Sequence, residues 1–452
     1  MKGIEVIGAG LAGCEAAWQA ARLGVPVTLR EMKPARYTPA HRYSGFAELV
    51  CSNSFRSNQV TNAIGLLKAE LSRLDSLILE AAYGTEVPAG SALAVDRRQF
   101  SDYVTGKIEQ NPLIRIEEGE ATSLPEDPDA IVIVATGPLT SDALSEAVAR
   151  ETGASYLHFF DAAAPIVDAS TVDREIVFEG SRYGKGEAAY LNCPMNREEY
   201  ETFFRELLRA PVAPLHAFDK NEAERAEEAG EDFTVFEGCM PVEVMARRGE
   251  DTLRFGPLKP VGLTDPRTGR EPYAVVQLRQ ENTAKTMYNL VGFQTHLTWQ
   301  AQRDVFRLIP GLRNAEFLRY GVMHRNTYLD SPRLLSFDYS LRNRPNLFFA
   351  GQMTGVEGYI ESAASGFVAG VNAARRARGE GPYRFPPETV IGSMAAYVSD
   401  ARVGAFTPMN ANFGLIAPLP GRVRGGKHGR CEAYAERALA RADTVREDLF
   451  SK

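Results

Sequence analysis

Two of the five cysteines lie in loops whose neighbours suit a reactive thiol. Cys51 lies in "AELVCSNSFRSN", after an apolar run typical of a strand and before a polar run rich in hydrogen-bond donors. Cys239 lies in "FEGCMPVEVMARRG", in a turn between two strand-like segments, with two arginines downstream. Hydrogen-bond donors and positive charge favour the thiolate, which is the nucleophilic form. The residues alone leave open whether each cysteine is catalytic or a buried small hydrophobe.

The other three cysteines suit structural roles. Cys14 lies among small residues on the first predicted helix, Cys193 lies in a turn between Asn and Pro, and Cys431 lies in a basic C-terminal segment. The five cysteines form no CxxC pair and have no histidines at zinc-ligand spacing. Their spacing therefore predicts neither a disulfide framework, nor a structural zinc, nor a flavin-linked disulfide reductase.

The N-terminus predicts the element that binds a dinucleotide. "GIEVIG" is typical of a strand, "LAGCEAAWQAARLG" of a helix, and "VPVTLRE" of a second strand that ends in Glu31. Between the first strand and the helix, glycines follow a G-x-G-x-x-G pattern, which permits close approach of the backbone to a pyrophosphate. Glu31 can accept hydrogen bonds from a ribose diol. The predicted cofactor-binding residues of this unit are Gly8, Ala9, Gly10, Leu11, Ala12, Gly13 and Glu31.

Two later segments favour FAD over NAD as the tightly held cofactor. "AIVIVATGP" is a buried strand that ends at Gly137, and "NLFFAGQMTGVEGYIESAASGFVAGVNAARRA" is a strand, a glycine-rich loop and a helix of small residues. The pair resembles the second and third signatures of flavoproteins with two dinucleotide-binding motifs. An Asp usually follows the glycine that ends the last strand in that class, whereas this chain has Gln352 after Gly351.

The separation of these signatures predicts a discontinuous domain. The first and the last signature must share one sheet, so the chain between them includes an insertion. We predict an α/β, Rossmann-like FAD-binding domain at residues 1–155 and 321–452 and an inserted α+β domain at residues 156–320. Within the insertion, "REIVFEG", "FTVFEG" and "YAVVQL" suggest strands, "NREEYETFFRELLRA" a charged helix, and the acidic run at 219–233 a solvated surface.

Composition limits the location and the partners. No apolar run is long enough to span a bilayer and the N-terminus lacks the pattern of a signal peptide, so we expect a cytoplasmic protein with no membrane partner. The net charge of -7 means that a nucleic acid must be bound by a local basic surface. Candidate phosphate contacts are Arg247, Arg248, Arg375, Arg376, Arg378 and the "GRVRGGKHGR" loop at residues 421–430.

Nearly the whole chain resembles the TrmFO family, the folate- and FAD-dependent tRNA (uracil-5-)-methyltransferases of bacteria. The segments that carry the resemblance are "GAGLAGCEAAW", "LVCSNSFRSN", "FEGCMPVEVMA", "LRQENTAKTMYNLVGFQTHLTWQAQ", "HRNTYLDSP" and "FAGQMTGVEGYIESAASG". The related MnmG family, which modifies wobble uridines, shares the glycine motifs but is generally longer, with a C-terminal helical domain.

The resemblance implies both an activity and roles for residues. It implies methylation of C5 of uracil-54 in the T-loop of tRNA, which gives ribothymidine, with methylenetetrahydrofolate as the one-carbon donor and NADH or NADPH as the reductant. Cys239 would be the nucleophile toward uracil and Cys51 a second functional thiol near the flavin. Gly351, Gln352 and Gly358 would lie near the flavin end of FAD. The resemblance implies no protein partner.

The chemistry of cysteine fits the first step of that reaction. A thiolate that adds to C6 of uracil turns the ring into an enolate, which makes C5 nucleophilic toward a one-carbon electrophile. In the family, the methylene is carried on the reduced flavin, and hydride from that flavin reduces it to a methyl group. Cys51 would act as the base for the C5 proton or stabilise the flavin-bound methylene, and the sequence leaves both roles open. "NLVGFQTHLTWQAQ" offers aromatic rings and amides for the folate pterin.

The sequence is also consistent with two other classes of function. An MnmG-like enzyme or another flavoprotein oxidoreductase would not need Cys239. A non-enzymatic FAD-binding protein could keep the fold as an RNA-binding scaffold, although the intact glycines and both cysteine loops count against it.

Overall fold

The computed structural model describes residues 2–38, 40–153, 157–184, 189–213, 240–321, 323–404, 406–421 and 423–451. The helices are Leu11–Arg22 (α1), Ala63–Arg73 (α2), Leu77–Gly84 (α3), Arg97–Glu109 (α4), Asp142–Thr152 (α5), Arg197–Arg209 (α6), Val242–Arg247 (α7), Thr252–Phe255 (α8), Trp299–Phe306 (α9), Ser331–Leu334 (α10), Tyr359–Ala377 (α11), Val390–Val398 (α12) and Gly426–Phe450 (α13). The strands are Ile4–Ile7 (β1), Val27–Glu31 (β2), Ser54–Ser57 (β3), Glu86–Val87 (β4), Ala92–Val95 (β5), Ile114–Glu118 (β6), Ile131–Val134 (β7), Leu157–Ala162 (β8), Ile166–Asp168 (β9), Phe178–Glu179 (β10), Tyr190–Met195 (β11), Ala274–Gln280 (β12), Met287–Leu290 (β13), Phe317–Arg319 (β14), Met323–Tyr328 (β15), Ser340–Leu341 (β16) and Arg344–Phe349 (β17).

A six-stranded sheet carries the N-terminal glycine motif. Its order is β16-β17-β7-β1-β2-β6, and all neighbours are parallel except the edge pair β16 and β17. The central strands are apolar because helices cover a parallel sheet on its faces. The three predicted signatures thus meet in one sheet, since β1, β7 and β17 are adjacent. The prediction of a Rossmann-like parallel sheet is confirmed.

Helices α1 and α11 are in backbone contact beside this sheet. A Cβ added to Gly366 would lie 2.2 Å from the Ala12 carbonyl oxygen, so a larger residue there would force the two helices apart. The small residues of both helices, which the sequence shows as Ala-rich and Gly-rich runs, are what permit this approach.

A second six-stranded sheet is antiparallel throughout, in the order β10-β11-β12-β13-β9-β14. It has its own hydrophobic core, whose members lie between Ala164 and Ala315. The core of the parallel sheet instead draws its members from residues 4–148 and 328–449. Two smaller sheets, β3-β5-β4 and β15-β8, complete the described strands.

Three local expectations from the sequence are wrong. The run before Cys51 is a loop and not a strand, because Ala47 has a φ of 49° and its N–H bonds the Ala9 carbonyl oxygen. The segment after Cys239 is the helix Val242–Arg247, whose apolar run is too short for periodicity to tell helix from strand. "REIVFEG" forms only the two-residue strand Phe178–Glu179.

The expected strand in "FTVFEG" and the acidic run at 219–233 lie outside the described residues. "YAVVQL" is confirmed as part of β12, and "NREEYETFFRELLRA" as α6. Among the described residues, no helix is both long and apolar enough to cross a membrane.

Candidate active site

The turn between β1 and α1 requires glycine at two positions. Gly8 has a φ of +100°, and a Cβ added there would lie 2.7 Å from the Ala135 carbonyl oxygen. A Cβ on Gly13 would lie 1.8 Å from the Gly8 carbonyl oxygen. The turn therefore packs directly against α1 and against the end of β7. This packing leaves the backbone N–H groups at the N-terminus of α1 uncovered.

A cavity opens above this turn, and we call it the N-terminal cavity. Its lining includes the following predicted cofactor residues: Gly8, Ala9, Gly10, Leu11, Ala12, Glu31, Gly137, Gly351 and Gln352. Gly13 is absent from the lining, since it packs α1 on the turn, and Gly358 lines a neighbouring cavity.

The N-terminal cavity has the donors and acceptors that a dinucleotide needs. Gly10 caps α1 without a side-chain hydrogen bond, so the N–H groups of the first turn are available to an anion. Glu31 is buried at the end of β2, where its carboxylate accepts hydrogen bonds from the N–H of Ala9 (2.8 Å) and of Lys33 (3.0 Å). These bonds fix the carboxylate beside the glycine turn. The residues fit a pyrophosphate and a ribose.

A second cavity, the cysteine cavity, adjoins the first. Its lining includes Cys51, Arg279, Gln294, Gly358 and Glu361. Both cavities share the lining residues Val50, Pro138, Leu139, Gln352, Tyr359 and Ser362. The two are therefore neighbouring parts of one cleft. Cys51 lines the cysteine cavity, and its Sγ lies 3.9 Å from the carbonyl oxygen of Ala162.

Arginines from different parts of the chain hold the loop that contains Cys51. Arg97, at the start of α4, donates to the carbonyl oxygens of Leu49 and, over 3.2 Å, of Cys51. Arg319, at the end of β14, donates to the carbonyl oxygen of Val50 over 2.7 Å. The loop backbone is thus tied both to the parallel-sheet core and to the antiparallel sheet.

Arg279 on β12 holds the residues that follow Cys51. It donates to Oγ of Ser52 over 2.8 Å and to Oδ1 of Asn53 over 2.9 Å. These partners are neutral, whereas the nearby Glu281 carboxylate pairs with Arg97. Burial lowers the pKa of Arg279. A buried guanidinium whose partners are neutral makes this end of the cysteine cavity electropositive.

Tyr359, the first residue of α11, hydrogen-bonds the backbone of the same loop. Its hydroxyl oxygen accepts hydrogen bonds from the N–H of Cys51 (2.8 Å) and of Ser52 (3.1 Å). Burial, followed by the proximity of Cys51, raises the pKa of Tyr359, so it remains a neutral phenol. The Cys51 backbone therefore has fixed partners on both its N–H and its carbonyl side.

Cys239 lies outside the described residues, but the chain on either side of its segment is anchored. On one side, Ala213 donates its N–H to the His296 carbonyl oxygen over 2.7 Å. On the other, Val242 donates its N–H to the carbonyl oxygen of Gln294 over 2.7 Å. Gln294 lines the cysteine cavity, so the described residues nearest to Cys239 are attached to its wall.

Glu243 strengthens that attachment. Its carboxylate accepts hydrogen bonds from the His296 N–H (2.7 Å) and from the Thr295 hydroxyl (2.8 Å), and burial raises its pKa. The start of α7 is therefore bonded to the stretch 294–296 by side chain as well as by backbone.

The remaining cysteines are unsuited to nucleophilic chemistry. Cys14, Cys193 and Cys431 are buried in α1, β11 and α13. Burial raises the pKa of the Cys14 and Cys193 thiols, which suppresses their thiolates.

The candidate phosphate-binding arginines at the C-terminal end of α11 lie far from both cavities. Arg375 and Arg378 pair with Glu380, and Arg376 donates to Asn346. At 1.5 Å per residue, α11 separates them from Gly358 by about 25 Å. These contacts give them structural partners away from the cleft.

The other basic candidates lie on exposed surfaces. Arg247 and Arg248 end α7, and both are exposed. The "GRVRGGKHGR" segment is only partly a loop, because α13 already begins at Gly426. Within the segment predicted to hold folate, Gln294 lines the cysteine cavity, whereas Phe293 is buried in the second core and Trp299 is exposed.

Sequence reasoning missed Arg97, Arg279, Arg319 and Tyr359. A signal was present for Arg279, since it is a single charge in the apolar run "YAVVQLRQ", and the run forms a strand buried at every position. Tyr359 stands in the quoted segment "GYIESAASG". In the sequence around Arg97 and Arg319, no pattern distinguishes either residue from an arginine on the protein surface.

Comparison with known proteins identifies the family. The family model described as "Glucose inhibited division protein A" matches residues 3–381. Proteins named methylenetetrahydrofolate--tRNA-(uracil-5-)-methyltransferase TrmFO are similar over nearly their whole length. The one from Enterococcus faecalis is 58% identical over 438 residues, which is 97% of each chain. The one from Listeria innocua is 56% identical, over 99% of this chain and 100% of its own.

A solved structure shares the fold. The structure of Aquifex aeolicus GidA superposes with a TM-score of 0.70 at 18% identity and covers 99% of this chain and 74% of its own. At that identity the likeness shows the fold alone, a flavoprotein-type parallel sheet with an inserted sheet. The match in sequence over 97% of the chain goes further, and it shows that the chain belongs to the TrmFO family, within the wider family of the glucose-inhibited division protein A model.

Proposed function

We propose that the protein is a methylenetetrahydrofolate- and FAD-dependent tRNA (uracil-5-)-methyltransferase that converts uracil-54 of the T-loop to ribothymidine. The observation that carries the proposal is the junction of the two cavities, where a dinucleotide-type glycine turn adjoins a cavity that contains a held cysteine loop. The 58% identity to a protein that bears this enzyme name supports the same conclusion. As a tRNA-modifying enzyme it would act in the cytoplasm.

The N-terminal cavity would hold the cofactor. The first turn of α1 would receive the FAD pyrophosphate, and Glu31 the ribose. Gly137, Gly351 and Gln352 would border the flavin end, with Gly358 beyond it in the cysteine cavity. When bound, the reduced flavin supplies the one-carbon unit and the hydride that the reaction consumes, and NADH or NADPH would restore its reduced form.

The cysteine cavity would receive the uracil, extruded from its loop, since enzymes that act on a base generally take it out of its stack. The Cys239 thiolate would add to C6 and leave an enolate that spans C5 and O4. The enolate carbon would bond the one-carbon unit as the bond between that unit and its carrier breaks. Loss of the C5 proton would then expel the thiolate from C6 and leave an exocyclic methylene, which a hydride would reduce to the methyl group. Cys239 stands three positions before Val242, whose N–H bonds the cavity-lining residue Gln294.

Cys51 would be the second functional thiol. Its backbone is held by Tyr359 and Arg97, and the residue lines the cysteine cavity. From there it would accept the C5 proton or stabilise the bound one-carbon unit. The electropositive arginines around the loop favour either role, because each involves a negative or electron-rich sulfur.

The flavin site and the nucleophile would also belong to different domains. We propose that residues 1–155 and 321–452 bind the flavin and that residues 156–320, the insertion, carry the nucleophile. The two separate hydrophobic cores support this division.

One assay tests the function. Purified protein is incubated with unmodified tRNA, methylenetetrahydrofolate labelled in its one-carbon unit, and NADH or NADPH. We expect label in a 5-methyluracil at position 54 of the tRNA and a flavin absorption spectrum in the purified protein. If the tRNA stays unlabelled, or if label arrives from S-adenosylmethionine instead, the proposal is wrong.

A further inference from the structure

We propose that Trp299, Tyr320 and Arg303 form a stacking platform for an unpaired base of the tRNA loop, outside the cleft that takes the target uracil. The proposal rests on the proposed function, since it concerns how the same substrate is held. It arises from an exposed aromatic surface that the cofactor and cysteine sites leave unused.

The platform consists of parallel rings at the surface of the inserted sheet. The indole of Trp299 stacks on Tyr320, with centroids 5.6 Å apart and planes at 12°. Tyr320 stacks in turn on Phe317, at 5.5 Å and 17°. Trp299 is 62% exposed, so its outer ring face meets solvent while its inner face is supported. A flat, rigid and open aromatic face fits another planar ring, and a nucleic-acid base has one whatever its sequence.

A positive charge lies beside the platform. Arg303 donates from Nε and Nη2 to the Tyr320 hydroxyl oxygen, over 3.2 and 2.9 Å. Within the described part of the chain Arg303 forms no ion pair, and Asp304 of the same helix accepts hydrogen bonds from Gln300. Two nitrogens of the guanidinium bond Tyr320, and the third, Nη1, would contact a phosphodiester next to the stacked base.

The platform is continuous with the cleft. Tyr320 follows Arg319, whose guanidinium bonds the Val50 carbonyl oxygen next to Cys51. On the other side it precedes Gly321, where an added Cβ would lie 2.6 Å from the carbonyl oxygen of Ala163, a residue of the cysteine-cavity lining. The stacked rings thus lie on the outer side of the same wall.

The platform also adjoins the described residues that follow α6. The Thr298 N–H, next to Trp299, bonds the Pro211 carbonyl oxygen, and Leu297 forms a β-bridge with Val212. Since Tyr320 stands between Arg319 and Gly321, an RNA loop that delivers one base into the cysteine cavity would bring a neighbouring base within range of Trp299. Stacking on the indole would replace the stacking that this neighbour loses when the target leaves the loop.

The chain offers a direct probe of this contact. It contains two tryptophans, of which Trp18 is largely packed in the flavin-side core. We would titrate the FAD-loaded protein with an unmodified T-arm stem-loop RNA and record tryptophan fluorescence together with the fraction of RNA bound. Wild-type emission should be quenched as RNA binds, and Trp299→Phe should lose the quench while it keeps affinity within about threefold, since a phenyl ring still stacks.

Trp299→Ala should weaken RNA binding about tenfold, as expected for the loss of one base–aromatic stack. The matched control is Phe255→Ala, which removes an 80% exposed ring from α8 of the same insertion and should leave affinity unchanged. If Trp299→Ala binds RNA as tightly as the wild type, the platform is wrong. It is also wrong if sedimentation shows that Trp299→Ala dissociates a protein dimer, because the surface would then belong to a second copy.

The proposed methyltransferase function and the proposed stacking platform can be refuted independently. A wild-type protein that transfers the one-carbon unit, with a Trp299→Ala variant of unchanged RNA affinity, refutes the platform alone. A wild-type protein that binds the stem-loop through Trp299 but transfers no label refutes the proposed function alone.

Discussion

The two cavities of the cleft are built in opposite ways. The N-terminal cavity is made mainly by backbone: a glycine turn, the start of α1 and the ends of neighbouring parallel strands. The cysteine cavity is made by long side chains that converge from α4, β12, β14 and α11 on one loop. The first construction suits a cofactor that is always the same, whereas the second lets both sheets position a reactive group.

Because the two cavities are built differently, substitutions in them should have different effects. Backbone contacts tolerate no added atom, so changes there should remove the cofactor or the fold. Side-chain hydrogen bonds can be removed singly, so changes around Cys51 should lower the reaction rate and leave the cofactor bound.

The largest effect is expected at the nucleophile. Cys239→Ala should lower methyl transfer by roughly a thousandfold or more, because no other group would activate C6 of uracil. Flavin content, measured from the absorption spectrum, should stay as in the wild type. Cys431→Ala is the matched control and should transfer normally. Substantial activity in Cys239→Ala would move the nucleophile to another residue, and Cys51 would be tested next.

Substitutions at two glycines of the turn should have different effects on the stability of the fold and on the binding of the cofactor. Gly13→Ala should lower the free energy of unfolding by about 1 to 3 kcal/mol and prevent FAD retention, because its Cβ would collide with the Gly8 carbonyl oxygen. Gly10→Ala should keep the apoprotein stable, since its Cβ would lie 4.0 Å from the nearest atom, yet weaken FAD binding because the pyrophosphate approaches there. Thermal unfolding and flavin titration measure the two effects. Equal FAD affinity in Gly10→Ala and the wild type would contradict the placement of the pyrophosphate.

Arg279 should affect rate rather than stability. Arg279→Met removes a buried charge with neutral partners, so stability should change by no more than about 1 kcal/mol. The Cys51 loop would lose its contacts to Ser52 and Asn53, and kcat/KM for transfer should fall roughly tenfold to a hundredfold through misplacement of the thiol. Arg254→Met, at a site on the same insertion where the guanidinium bonds the Tyr273 carbonyl oxygen, is the control. Unchanged kcat/KM in Arg279→Met would mean that the loop keeps its position without this residue.

The smallest effect is expected at Tyr359. Tyr359→Phe leaves the N–H groups of Cys51 and Ser52 without their acceptor, which should lower the free energy of unfolding by about 1 kcal/mol. Cys51 is half-buried, whereas the other three described cysteines are buried. The rate at which a thiol reagent modifies Cys51 should change measurably, whereas FAD content should not. If thiol reactivity and stability both stay constant, the hydroxyl has no role in holding the loop.

The sequence predicted the N-terminal cavity better than the cysteine cavity, for a physical reason. Gly8, Gly10 and Glu31 are close in sequence and their pattern is set by local backbone geometry, so a single strand–helix–strand unit reveals them. Gly13, which the sequence predicts as a cofactor residue, does not line the cavity, and its contact with the Gly8 carbonyl oxygen suits helix packing.

Arg97, Arg279, Arg319 and Tyr359 meet only because two sheets are docked on one another, and no local pattern encodes that docking. The run before Cys51 looked like a strand since its residues are apolar, but they are apolar because the loop is buried beside the glycine turn. The roles of Cys51 and Cys239 came from resemblance, and they remain proposals that the variants above test.

The backbone contact between α1 and α11 has a consequence for how this enzyme can change. Close backbone contacts of Gly366 with Ala12 and of Gly370 with Ala16 join α11, which begins at Tyr359, to α1 beside the glycine turn. A shift of α11 would therefore disturb the N-terminal cavity and the cysteine cavity together. Arg279 and Arg319 reach the same loop from the inserted sheet through flexible side chains. Heritable variation in substrate preference should therefore accumulate in the insertion, where small shifts are tolerated, while α11 stays constrained across descendants of this gene.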